Sequence, residues 1–169
     1  NDPVTYESVL ATVGLDGRKA PLTIRAEDKS KKYGAALPAL TASYSGFVAG
    51  DTEAVLDSPV SLSTGAAITS GVGSYAIQPG GASDAHYTVR FQPGTLTVTQ
   101  TAWTVSPKSI TRRLNTPNPT LTGIIRGLKN NDPSSVTYST TATEASPLGT
   151  YPITTALADP GQKLSNYTV

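Results

Sequence analysis

Apolar residues in this chain alternate with polar ones over short runs. Leu22-Thr23-Ile24, Tyr87-Thr88-Val89-Arg90-Phe91, Leu96-Thr97-Val98 and Trp103-Thr104-Val105 each place an apolar side chain at every second position. That is the spacing of a strand with one buried face. Tyr75-Ala76-Ile77 and Tyr151-Pro152-Ile153 read the same way, and Pro152, which cannot donate to a ladder, points to a sheet edge. The runs at 87–91 and 96–98 are expected to pair as a hairpin across Gln92-Pro93-Gly94. The helical period is never sustained for long without a Gly, Pro or β-branched interruption. One short helical candidate remains, Asp51-Thr52-Glu53-Ala54-Val55-Leu56, with Asp51 as N-cap, Glu53 in the first turn and Pro59 beyond the stop. Asp132-Pro133-Ser134-Ser135-Val136 offers a similar start, with Pro at the first helical position.

The pattern occurs twice. Pro38-Ala39-Leu40-Thr41, Gly46-Phe47 and Gly50-Asp51 recur as Pro119-Thr120-Leu121-Thr122, Gly127-Leu128 and Asn131-Asp132, each 81 positions on. Gly73-Ser74-Tyr75-Ala76-Ile77 recurs as Gly149-Thr150-Tyr151-Pro152-Ile153 after 76 positions, and His86-Tyr87-Thr88-Val89 as Asn166-Tyr167-Thr168-Val169 after 80. Both changes of offset fall in stretches rich in Asp, Pro, Gly and Ser, where loops accept length changes. A chain with such internal similarity is read as stacked copies of one unit. The expected organisation is therefore mostly β, with two tandem small modules at 22–100 and 101–169, each holding a short helix. Immunoglobulin-like β-sandwiches are the alternative architecture. The second copy ends before the strand that Gly94-Thr95-Leu96-Thr97-Val98 supplies to the first. Val4-Thr5-Tyr6, Leu10 and Val13 loosely imitate Val89-Arg90-Phe91, Leu96 and Val98. Residues 1–21 thus read as the tail of a preceding repeat or a connector, and residues 1–13 as a segment able to complete the second copy.

Composition agrees with strands and narrows the chemistry. Ser and Thr make up roughly a quarter of the chain, with 15 Gly and 13 Pro. A net charge of +1 gives no electrostatic reason to expect nucleic acid or a membrane surface as partner. With no Cys there is neither a disulfide nor a thiolate metal site. The sequence also lacks Met and reads as a piece of a longer repetitive protein.

Lys29-Ser30-Lys31-Lys32-Tyr33-Gly34, Pro38, Leu40-Thr41, Tyr44-Ser45-Gly46, Gly50-Asp51, Gly73-Ser74-Tyr75, Tyr87 and Gly94-Thr95-Leu96-Thr97-Val98 together resemble the tandem MBG-type repeat with its Tyr-Gly signature. The resemblance covers 22–100 well and 101–169 more loosely, where Leu114-Asn115 replaces Tyr33-Gly34. It implies a β-grasp-like module of large bacterial surface proteins and adhesins, and no catalytic residues. The expected role is a structural stalk or spacer on the cell surface or outside the cell. A glycan- or protein-binding adhesion module is the alternative, and an accessory domain of an extracellular enzyme a weaker one. Expected partners are neighbouring repeats, and possible ones a glycan or a host or cell-surface protein. Neither nucleic acid nor a membrane is expected to touch this stretch.

Candidate chemistry is sparse. His86, the single His, stands where the other copy has Asn166, as a turn residue would. No nucleophile elbow, phosphate loop or zinc spacing occurs, so catalytic and cofactor-binding residues are expected to be none. Asp51, Glu53 and Asp57 are spaced as oxygen ligands for calcium could be, but acids are also favoured at a helix start. Asp84 and Asp159 are loop acids of the same kind. Glu27-Asp28-Lys29-Ser30-Lys31-Lys32 carries both signs and reads most simply as a solvated loop; with Arg112 and Arg113 near the equivalent place in the second copy, a weak anion or glycan patch is the alternative. Tyr75 with Tyr151, and Tyr87 with Tyr167, are repeated pairs and read as packing residues rather than a sugar platform. Trp103 is expected to pack partly against the linker.

Overall fold

The computed structural model describes residues 17–48 and 50–169. The reading of residues 1–13 as a completing strand lies outside them. In the first module the alternating runs become β1 (Ala20–Ala26), β5 (Gly73–Gly80), β6 (Tyr87–Gln92) and β7 (Gly94–Thr99), joined by β3 (Ala42–Ser45), β4 (Ser61–Thr64) and β2 (Lys29–Lys32), the last a strand with Lys31 buried where a solvated loop was expected. They form two sheets, β3-β1-β6 and β2-β7-β5-β4. β1 is antiparallel to β3 and parallel to β6; β7 is parallel to β2 and antiparallel to β5. Alternation decides the core. Leu22, Ile24 and Ala26 of β1 are wholly buried, as are Ile77 of β5 and Leu96 of β7. Leu22 and Ile24 pack with Ala82 and Tyr87, whereas Ala26 packs with Ile77, Leu96 and Ala66. β1 therefore sews the two sheets together.

Two expectations are corrected here. β6 and β7 do not pair across the turn at 92–94. They lie in different sheets, separated only by Pro93. At this corner the chain passes so close to β1 that a Cβ on Gly94 would stand 2.4 Å from the carbonyl oxygen of Ala26. Each strand finds a longer partner elsewhere: β6 pairs with β1 over six residues, and β7 with β5 over five. The expected short helices are not formed either. Glu53–Val55 makes a single 3-10 turn, capped by Thr52 rather than Asp51, and Ser135 and Val136 already belong to a strand. Asp51 instead accepts a hydrogen bond from Tyr87. No α-helix occurs among the described residues.

The second module repeats the path with gaps. β8 (Thr101–Ala102) and β9 (Thr104–Pro107) stand for β1, and β10 (Gly123–Arg126) for β3. β11 (Ser135–Thr140) stands for β4, β12 (Ile153–Ala158) for β5, and β13 (Tyr167–Thr168) for β6. The pairings match: β10 with β9 and β11 with β12 are antiparallel, and β13 with β8 is parallel. Residues 110–113, the counterpart of β2, form no strand, because no described strand takes the place of β7 beside them. A cleft of about 580 Å³ opens there, lined by Ile110, Leu114, Leu121, Leu148, Tyr151 and Ile153 among others. Gly46 and Gly127 show how closely the copies correspond. Both have positive φ, and a Cβ on either would meet the carbonyl oxygen of Pro21 or Ala102 at 2.2 or 2.1 Å.

Candidate functional site

The densest polar and aromatic cluster sits between the modules. β7 passes into β8 through Gln100 alone, so Trp103 and β7 share one locality. Trp103, Val98, Tyr33 and Tyr167 are all buried and pack as one cluster. Trp103 is fully covered, with its ring 5.7 Å from that of Tyr167. Tyr33 comes from the first module, just past β2, and meets Tyr167 edge-on at 5.5 Å and 82°. Edge-to-face contact of this kind adds to the gain from burying two rings.

The phenols converge on one carboxylate. Tyr33 donates to Asp132 at 3.0 Å to Oδ2 and 3.1 Å to Oδ1. Tyr167 donates to Asp132 Oδ2 at 2.6 Å and accepts from the amide of Lys129 at 2.9 Å. Asp132 is only 8% exposed, so its charge is held by these donors instead of water. Burial, reinforced by the hydrogen bond to Asp132, lifts the Tyr167 phenol to about 12. Burial also raises the Tyr33 phenol.

The turn that carries Tyr33 is fixed from several sides. The amide of Tyr33 donates to the carbonyl of Thr99 at 2.8 Å, and that of Ala35 to Lys32 at 3.0 Å. Lys31 is buried and donates to the carbonyls of Ala35 and Ile68 at 3.0 and 3.2 Å; burial lowers its pKa. Gly34 has φ of +72°, and a Cβ there would lie 2.6 Å from the Cβ of Lys129. The glycine is thus needed for the backbone turn and for the approach of the second module. Further links flank the cluster. The amide of Val72 donates to Asn166 Oδ1 at 2.8 Å, and Gln100 Nε2 to the carbonyl of Ser165 at 3.1 Å. Trp103 Nε1 is buried with no hydrogen-bond partner.

Residues singled out in the sequence fall elsewhere and do not converge. Asp51 accepts from Tyr87 at 2.7 Å, while Glu53 and Asp57 are exposed. Among the described residues no group of three or more acids or imidazoles could hold a metal ion. Asp84 accepts from the amides of His86 and Tyr87 at 2.6 and 3.1 Å, with the exposed His86 ring 3.6 Å away. Asp159 accepts from the amides of Lys163 and Leu164 in a similar loop. Tyr75 and Tyr151 each donate to a carbonyl four residues back, at 2.9 Å. Arg112 donates to the carbonyls of Thr116 and Thr143 and so ties two loops. Sequence reasoning missed the linkage of Tyr33 to Asp132 and the burial of Lys31. One signal was available. Tyr33 has no aromatic counterpart in the second copy, so the module's own fold does not require it.

Compared with known families, the chain matches the MBG domain (YGX type) twice, over residues 22–97 and over 103–169. No curated protein and no solved structure matches it.

Proposed function

The chain belongs to the MBG domain family of the YGX type and carries two such domains in tandem, and from that premise we propose that it is a non-enzymatic structural spacer of an extracellular or cell-surface protein. The observation that carries this reading is the joint. Tyr33, Val98, Trp103 and Tyr167 bury apolar surface drawn from both modules around a shared carboxylate. A single residue, Gln100, separates the strands on either side. Such a connection has no length to swing on, and the buried Asp132 is hydrogen-bonded by phenols of both modules while they stay docked. In the parent protein the stack would hold a binding region at a set distance from its anchor. The repeat as β-grasp-like, and the parent as an adhesin, belong to this proposal.

The test is whether the modules move as one body. Nuclear spin relaxation of the chain should give one rotational correlation time for residues on both sides of Gln100, and small-angle scattering a single maximum dimension. Independent tumbling of the modules would sink the spacer reading. Specific glycan binding at the cleft beside Ile110 and Tyr151 would favour the adhesion module instead.

A further inference from the structure

Resting on the spacer reading, we propose that the first module carries at its entrance a socket for the Tyr-Gly turn of another copy of itself placed ahead of it in a chain. The joint already described supplies the template. In the second module the receiving half consists of Asp132, Tyr167 and the amide of Lys129. Their counterparts in the first module are Asp51, Tyr87 and the amide of Val48, and the internal geometry is the same. Tyr87 accepts from Val48 at 3.0 Å and donates to Asp51 Oδ2 at 2.7 Å. The corresponding distances in the second module are 2.9 and 2.6 Å.

What differs is occupancy. Asp132 accepts a second phenol, Tyr33, on both of its oxygens. Asp51 Oδ1 takes no hydrogen bond from a described residue, and Asp51 is less buried than Asp132. Beside it Val48 is 51% exposed, at the position of the Lys129 that packs on Gly34. Phe47 lies 5.5 Å from Tyr87, edge-on, and forms one wall of the site.

The same comparison identifies the partner. The plug must carry a phenol to reach Asp51 Oδ1, which accepts from no described residue. It must also carry glycine next to that phenol, because the Cβ of Lys129, the counterpart of Val48, stands where a side chain at position 34 would go. Tyr33-Gly34 meets both conditions. Leu114-Asn115 meets neither, although Asn115 keeps the positive φ of the turn. A first-type module therefore fits ahead of this chain, and a second-type module does not. The interface is head-to-tail, with plug and socket on different parts of each copy, so it extends into a row instead of closing into a dimer.

A three-module protein tests this: residues 1–100 followed directly by residues 20–169, which repeats the single Gln100 between strands. The reporter is hydrogen exchange at two amides, Val48 of the middle module and Lys129, each bonded to a socket tyrosine. Relative to the two-module chain, exchange at the middle Val48 should slow about tenfold, the scale of one charge-assisted hydrogen bond. Tyr33→Phe in the added copy should reverse most of that slowing without unfolding any module. Unchanged exchange at Val48, or slowing that survives Tyr33→Phe, overturns the proposal. Lys129 separates the two ideas. If Lys129 exchange quickens on Tyr33→Phe in the middle module while Val48 is unaffected by the added copy, only the socket fails. If neither amide responds, the docked-spacer reading falls with it.

Discussion

Removing one oxygen atom should weaken the link between the modules. Tyr33→Phe keeps the ring against Tyr167 at 5.5 Å and deletes the donor to Asp132. A hydrogen bond to a charged group contributes about 1.5–3 kcal/mol. Here the donor is shared between two oxygens, and Asp132 keeps the shorter bond from Tyr167 at 2.6 Å. The expected loss is therefore at the lower end, about 1–2 kcal/mol. Tyr33→Ala also removes the ring and should cost about 3–5 kcal/mol, the range for deleting a buried aromatic. Trp103, the only tryptophan, lies in the same cluster and reports on it by fluorescence during urea unfolding. A double-mutant cycle with Asp132→Asn isolates the contact, because the two residues sit in different modules. The reasoning is refuted if Tyr33→Phe leaves the midpoint unchanged, or if its cost is the same with and without Asp132→Asn.

Three further outcomes are expected. Tyr167 holds its proton up to about 12 when folded, against about 10 for a free phenol. The stability it confers is therefore complete below the unfolded value and lost as pH rises from there through the folded one; alkaline melts of Tyr167→Phe should lack that component. Gly127→Ala would drive a Cβ to within 2.1 Å of the Ala102 carbonyl at φ of +93°, and should cost more than about 2 kcal/mol in urea melts. A retained midpoint would show that β8 shifts freely. A peptide with the sequence of residues 94–99 should raise the melting temperature of the second module by occupying its cleft, and a scrambled peptide should not.

Much of the fold is legible from alternation. Leu22, Ile24, Leu96 and Val98 are apolar at every second position and buried as that spacing requires. The repeat is equally plain, since loops changed length while strand cores did not. Pairing was harder to read. Adjacent runs at 87–91 and 96–98 suggest a hairpin, because local patterns carry no information on which distant strand competes for the ladder. The turn at 53–55 illustrates the same limit: the local pattern around it carries no sign that Asp51 pairs with Tyr87 or that the start closes as a single 3-10 turn. The joint was least visible of all. Tyr33 and Asp132 stand 99 positions apart, and the pattern around each is that of an ordinary turn.

The two parallel ladders of the first module matter once the chain is pulled. β1 is its first strand and β7 its last, so tension on the ends enters through these two. β1 runs alongside β6 over six residue pairs, and β7 alongside β2 over four. Drawing either strand out along its own axis slides it past a neighbour pointing the same way. The cross-strand bonds of these two ladders would then be loaded together in shear. Peeling an antiparallel hairpin would break them one by one at lower force. In the proposed spacer, such modules would keep their length under load, and failure would be set by how fast one module ruptures instead of by its equilibrium stability.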